Sequence, residues 1–439
     1  MSVSGTISNT GDRLNIVVVN CWHDSNKGDA AITIGLLYAL SSAAPCRFTL
    51  VPYLRPASDR DLAYQFRHVQ ACFPEALGLA PQLPAAFQSG GGALRCGIQL
   101  LRSAAKLALG RRLPSNPLER AIENADAVIS NGGQYLAFPR HARWPLLHMF
   151  ALAYPLLYAR RVTRRCVYYG QSLGPFHYPG PRWFMRRLCR CADSILVRES
   201  LSRELLHELN VDMANVALVP DAAWAMPLAG TPFPTLARYG LQKRRFVAFS
   251  VRSLSVSDHE PQVAARYRQA IAQAVHWLVK ERGLDVALVA HTHGPRDDED
   301  DRLASAALYN SLPTEVRERV VLVDDDFSPA QLAAFYGSAA LLVGTRFHAV
   351  LLAAAAGTPV IAIPYFGLKT AGTLKDMGLS DCLLPMEELS SERLIQTIAN
   401  ALNGQQDLRQ RIVHQAQRMR GEAIEVARRV VHSFASGLA

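Results

Sequence analysis

The sequence has little lysine, no Cys-x-x-Cys pair and no long apolar run, and each absence removes a class of protein. Lysine occurs only as Lys27, Lys106, Lys243, Lys280, Lys369 and Lys375, although Lys and Arg together number 47 among 439 residues, so arginine carries the basic charge. The formal net charge of +10 directs attention to acidic partners such as phosphorylated metabolites or an anionic membrane surface. Arginine suits bidentate contacts to carboxylate and phosphate; a GC-rich genome would give the same preference. No basic run is interleaved with aromatics and no zinc-finger spacing occurs, so nucleic acid is not an expected partner. The eight Cys, at 21, 46, 72, 96, 166, 189, 191 and 382, fit a reduced chain with buried thiols better than a disulfide scaffold or a zinc site.

No apolar run approaches the ~20 residues of a membrane-spanning helix. The nearest, Trp144 to Tyr158, is interrupted by His148 and Pro155 and reads as a buried helix. The N-terminal stretch lacks a basic n-region and an apolar h-region, so no signal peptide is expected and a cytoplasmic protein is. The arginines flanking Leu156-Leu157-Tyr158 and Trp183-Phe184-Met185 either rest on anionic lipid headgroups at the inner membrane face or form a solvated basic face.

What is present is an alternation of short apolar strands with amphipathic helices, which argues for parallel sheets covered on both faces. The length calls for two domains. In the first half, Asn15–Val19, Phe48–Pro52, Ala127–Ser130, Cys166–Gly170, Ser194–Val197 and Val216–Val219 read as strands, with a helix over Ala30–Ser42. Residues from Leu77 to Pro117, rich in Gly, Pro and Ala, read as an insertion with a basic helix near Ile98–Leu109, covering the site or the membrane-facing side. A Gly/Pro-rich linker at Gly230–Pro234 is followed by a second set: Phe246–Val251, Val286–Ala290, Val320–Val323 and Leu341–Val343. The expected organisation is α/β: a Rossmann-like domain over residues 14–228 with the insertion at about 77–117, a second over 240–386, and C-terminal helices over 387–437 packing back across the junction. Two doubly wound domains then face a cleft.

In such sheets ligands bind outside the carboxyl ends of the strands, and the chain's candidate polar residues fall there. Asn26 and Asp29 follow the first strand, Gly133 and Gln134 another, Arg252 the first strand of the second half, and His291, Arg346 and His348 later ones. The segment Leu341–Tyr365 sets Arg346 and His348 at a strand-to-helix turn, where unpaired N–H groups and a guanidinium favour an anion and an imidazole can carry a proton near neutral pH. Asp29 either accepts a proton from a sugar hydroxyl or caps a helix beginning at Ala30. His291–Arg302, HTHGPRDDEDDR, invites a metal reading, but a helix starting near Asp300 accounts for the acidic residues, and no metal is expected.

The chain resembles the polysaccharide pyruvyl transferase family. The resemblance rests on NKGDAAI (Asn26–Ile32), NGGQ (Asn131–Gln134), GQSLGPF (Gly170–Phe176), VRES (Val197–Ser200), VPDAAW (Val219–Trp224), SVR (Ser250–Arg252), TRFHAVLLAAAAGTPVIAIPY (Thr345–Tyr365) and Lys369, in that order. It implies a fold similar to the GT-B glycosyltransferases. It also implies transfer of pyruvate from phosphoenolpyruvate onto a sugar of a bacterial polysaccharide as a cyclic ketal, often while the repeat unit is lipid-linked. Family roles carried over here make His348 catalytic and Arg346 and Arg252 donor-binding; Lys369 either meets the phosphate or faces solvent. Asn26, Asp29, Gly133, Gln134 and His291 are left for the acceptor or the cleft. No cofactor beyond the donor substrate is expected. The alternatives are a GT-B-type glycosyltransferase using a nucleotide-sugar and a non-catalytic glycan-binding assembly protein.

Overall fold

The computed structural model describes residues 13–53, 56–80, 93–138, 145–176, 179–228, 235–254, 261–365 and 369–435. Its first sheet is built from Leu14–Cys21 (β1), Cys46–Pro52 (β2), Leu77–Gly78 (β3), Ala127–Ser130 (β4), Gly133–Phe138 (β5), Arg165–Phe176 (β6), Ser194–Val197 (β7) and Val216–Leu218 (β8). These pair in parallel in the order β3-β2-β1-β4-β6-β7-β8, with β5 alongside β6. The second sheet, also parallel, uses Phe246–Ser250 (β9), Asp285–Val289 (β10), Val320–Val323 (β11), Leu341–Gly344 (β12) and Val360–Ala362 (β13), in the order β11-β10-β9-β12-β13. Central strands such as β9, FVAFS, and β12, LLVG, are buried along their whole length, as strands covered on both faces must be.

The strand order reverses between β1 and β4 in the first sheet and between β9 and β12 in the second. At such a switch point adjacent connections run to opposite faces and leave a crevice at the carboxyl ends of the strands. Each half therefore offers one crevice, and the residues closing β1, β9 and β12 line them.

The helix after β1 runs over Lys27–Ser41 and not from Ala30 as expected. Asn26 is its N-cap, the side chain accepting from Gly28 N at 3.1 Å, so Asp29 does not cap it but stands in the first turn. Gly35 lets this helix approach the turn at Ala222–Ala225: a Cβ there would lie 2.0 Å from the Ala222 carbonyl oxygen. Trp224 in that turn joins an apolar cluster that continues through Phe347 and Leu351 of the second half to Ile412, Ala423 and Val430. Those last residues belong to the long helix Gln405–Ala435, which also donates from Arg420 Nη1 to Met226 O (3.1 Å) and from Arg409 Nη1 to Gly357 O (2.7 Å). The C-terminal helices thus do pack across the junction.

The stretch from Leu77 to Pro117 is less separate than an insertion. Leu77–Gly78 adds an edge strand beside β2, and Ala93–Leu109 is a helix whose Lys106 is buried, donating to Leu113 O (2.7 Å) and Ser115 Oγ (2.9 Å) near Glu119 and Glu123. Residues 81–92, the centre of that expected insertion, lie outside the described residues. So do residues 139–144 and the whole of the expected linker at Gly230–Pro234.

Candidate active site

The two crevices meet. Lys27 N donates to His291 O (3.3 Å) and His293 N to Ser25 O (2.8 Å), tying the loop after β1 to the end of β10. Beside that tie Asp326 pairs with Lys27 and receives Arg67 through Nε and Nη2, both at 2.9 Å. On the other flank Ser200 N donates to Asp376 Oδ2 (2.9 Å), again across the halves.

His348 lies in the first turn of the helix Phe347–Ala355, which follows β12 and has Arg346 as its N-cap residue. Its ring is held against the first half. A Cβ on Gly28 would stand 2.3 Å from His348 Nδ1, so only glycine fits in NKGDAAI at this contact. On the other side Nε2 is 3.4 Å from Asp221 Oδ2, at the carboxyl end of β8. Asp221 also receives Arg198 Nη1 (2.5 Å) and Ala223 N (2.9 Å), while Arg198 Nε donates to Ser172 Oγ (2.6 Å). Burial alone would raise the Asp221 carboxyl; Arg198 and His348 hold it well below the usual carboxylate range. A fixed negative charge from one half therefore orients the imidazole of the other. Asp29 stands nearby: burial raises its carboxyl, against the pull of His348, Lys369 and Arg198.

Arg346 is buried and already engaged. Nε reaches both oxygens of Asp301 at 3.1 Å, and Nη2 bonds Asp301 Oδ1 (2.6 Å) and Glu299 O (2.8 Å). Burial would lower this guanidinium, and Asp301 more than reverses it. None of its hydrogen bonds among the described residues uses Nη1.

Arg252, at the end of β9, differs. It is buried, its guanidinium carbon lies 3.9 Å from the centroid of the Tyr365 ring, and Nε donates to Ser253 O (3.0 Å). Lys369 Nζ stands 5.9 Å from the same centroid. Among the described residues neither cation forms an ion pair with a carboxylate. Burial lowers both, and Arg346 presses further on Arg252. Desolvation makes both cations responsive to an arriving anion. Burial would raise the Tyr365 phenol, but Lys369, Arg252 and Arg346 bring it down to about 8. As pH climbs through about 8 a phenolate forms between the two cations and competes with an anionic ligand. The KM for an anionic donor is expected to rise over that range, and Tyr365→Phe to flatten the rise in initial-rate measurements.

Of the remaining sequence candidates, His291 is wholly buried at the end of β10, with Nδ1 3.4 Å from the Tyr336 hydroxyl, and burial pushes it well below its ordinary value. Asn26 is committed to its helix cap. Gly133 and Gln134 lie on β5, where Gln134 Nε2 donates to Gly174 O (3.4 Å). Arg198, Asp221, Asp301 and Tyr365 belong to the site although the sequence reading did not select them as site residues. Arg198 and Asp221 stand in the VRES and VPDAAW motifs at the ends of β7 and β8, so their strand-end position was the available signal. No trio of His, Cys, Asp and Glu able to hold a metal occurs among the described residues.

A family model described as polysaccharide pyruvyl transferase matches residues 26–365, the span that carries His348, Arg346, Arg252 and Tyr365. A curated relative, the amylovoran biosynthesis protein AmsJ of Erwinia amylovora, is 24% identical over 306 residues, covering 68% of this chain and 71% of AmsJ. Among solved structures, a UDP-GlcNAc 2-epimerase from Methanocaldococcus jannaschii aligns with a TM-score of 0.56 at 12% identity over 88% of this chain and 93% of its own. Anabaena HepE, solved with UDP and glucose, aligns with a TM-score of 0.57 at 12% identity over 97% of this chain and all of its own. At these identities the two structures show the two-domain, Rossmann-like, GT-B-like fold.

Proposed function

Because this chain belongs to the polysaccharide pyruvyl transferase family, we propose that it takes pyruvate from phosphoenolpyruvate and closes it as a cyclic ketal on a sugar of a polysaccharide repeat unit, releasing phosphate. The observation that carries this reading is the pair of cations, buried Arg252 and half-buried Lys369, beside the Tyr365 ring and with no ion-paired carboxylate among the described residues. A donor with a carboxylate at one end and a phosphate at the other supplies the two missing counter-charges. Arg346 Nη1 and the N-terminus of the helix Phe347–Ala355 add donors at the same place.

The chemistry needs a proton at the methylene carbon of the donor, which leaves cationic character at C2. His348, oriented by Asp221, gives that proton. A sugar hydroxyl then forms a bond to C2 and passes its proton to Asp29 or to the neutral imidazole. The C2–O bond to phosphate breaks with its electron pair leaving on phosphate, and a second hydroxyl attacks C2 to close the ketal, its proton going to the departing phosphate. The donor's charge is met by guanidinium and ammonium groups, and the steps call for no metal or cofactor.

We place the reaction at the inner face of the cytoplasmic membrane, on a lipid-linked acceptor. No helix among the described residues is long and apolar enough to cross a membrane, so such contact would be peripheral. The test is to incubate the protein with phosphoenolpyruvate, a UDP-sugar and acceptor oligosaccharides, and to follow phosphate, UDP and acceptor mass together. Phosphate release matched by a pyruvate ketal on the acceptor is expected. UDP release without phosphate would overturn the reading in favour of glycosyl transfer.

A further inference from the structure

Three helices on the first half share a composition. Ala93–Leu109, Pro145–Arg161 and Pro179–Cys189 contain no Asp or Glu, while each carries arginine. They are neighbours. Arg161, at the end of the second helix, donates to Leu107 O (3.0 Å) and Ala108 O (3.3 Å) of the first. A Cβ on Gly180 of the third would stand 3.4 Å from Leu146 Cδ1 of the second.

Their outer sides carry large apolar groups in solvent: Leu101 is 74% exposed, Trp183 57%, Ile98 57%, Leu146 45% and Leu109 43%. Arg186 and Arg187 are exposed beside Trp183, and the Arg187 guanidinium lies 5.9 Å from the indole centroid. Isolated exposed leucines need no explanation. A set of them on adjacent helices, framed by arginines and free of carboxylates, does.

We propose that this face docks on an anionic lipid bilayer. Aliphatic side chains enter the boundary of the acyl region, the indole sits at headgroup depth, and the arginines meet lipid phosphates. Nucleic acid would satisfy the arginines but has no place for Leu101 and Ile98. A second copy of the same face would bring arginine against arginine with no carboxylate to offset them. The helices beginning at Pro145 and Pro179 follow β5 and β6, whose carboxyl ends open on the cleft, so Leu146 lies at the cleft-side end of its helix and Trp183 one turn in from that end of its own. Docking there sets the cleft mouth against the membrane, which is where a lipid-linked acceptor would be presented. That consequence rests on the proposed reaction; the docking itself does not.

The full chain should sediment with vesicles of phosphatidylcholine containing phosphatidylglycerol and not with phosphatidylcholine alone. The double change Arg186→Glu, Arg187→Glu is expected to lower the partition at least about ten-fold, and Trp183→Ser to lower the binding that survives high salt. Phosphate release with a soluble acceptor oligosaccharide should be unchanged in both variants, which shows that they fold. No sedimentation with anionic vesicles, or equal sedimentation of the charge-reversed protein, overturns the proposal. So does a dimer in analytical ultracentrifugation that Trp183→Ser dissolves, since the face would then belong to a second copy. Because sedimentation is read without phosphoenolpyruvate, its failure leaves the donor assignment standing, and failure of phosphate release leaves the docking result standing.

Discussion

Replacing His348 with alanine is expected to slow pyruvyl transfer by about a thousand-fold, read as phosphate release at saturating donor and acceptor, with the circular dichroism spectrum unchanged. The size follows from losing a positioned proton donor to carbon, the step that has no alternative source in a site closed by Gly28 on one side and Asp221 on the other. The fold should survive because Asp221 keeps Arg198 and the Ala223 N–H, so no buried charge is left alone. Asp221→Asn should lose less, about ten- to a hundred-fold, since a carboxamide keeps the shape but removes the charge that orients the ring. Near wild-type turnover by His348→Ala would transfer the acid role elsewhere, with Tyr365 the first group to test.

Much of this arrangement was legible in the residues. The alternation of strands and helices and the strand-end placement of Arg252, Arg346 and His348 follow from local pattern, because parallel sheets force apolar runs inside and loops at their carboxyl ends. What was not legible depended on contacts far apart in sequence. Asn26 and Asp29 are both good N-caps three residues apart, and the helix starts at the earlier one. That choice goes with an isolated bridge between Asn26 and Thr292, which no local signal encodes. β5, GQYLAF, was not among the expected strands; it pairs with β6, which runs on past Gly170, at φ 64°, to Phe176 and offers it an edge.

The acidic run Asp297–Asp301 shows the same limit inside the site. A helix start there was expected, and the helix Asp301–Ser311 is capped by Asp300, whose side chain accepts from Arg302 N at 2.9 Å. Only the tertiary structure separates the capping residue from its neighbour Asp301, which turns inward to Arg346 and also accepts from Thr292 N at 3.0 Å. Arg346 was expected as a donor clamp. Its fork is occupied by a carboxylate of the protein, so its part in binding and its part in stability have to be separated by experiment.

Asp301→Ala separates them. It leaves the Arg346 guanidinium buried and without its bidentate partner, and the expected cost is about 3–5 kcal/mol in chemical denaturation. Pairing it with Arg346→Met should recover most of that loss, because removing both members takes away the unpaired charge along with the bond. Phosphoenolpyruvate then distinguishes the roles. If Nη1 and the freed positions of Arg346 meet the donor, its carboxylate replaces the one removed, and saturating phosphoenolpyruvate should raise the melting temperature of Asp301→Ala by more than that of the wild type. In the Asp301→Ala, Arg346→Met protein the extra increment should vanish while Arg252 and Lys369 still give a smaller one. An equal increment in all three proteins would mean that Arg346 braces the crevice from behind and that Arg252 and Lys369 alone hold the donor.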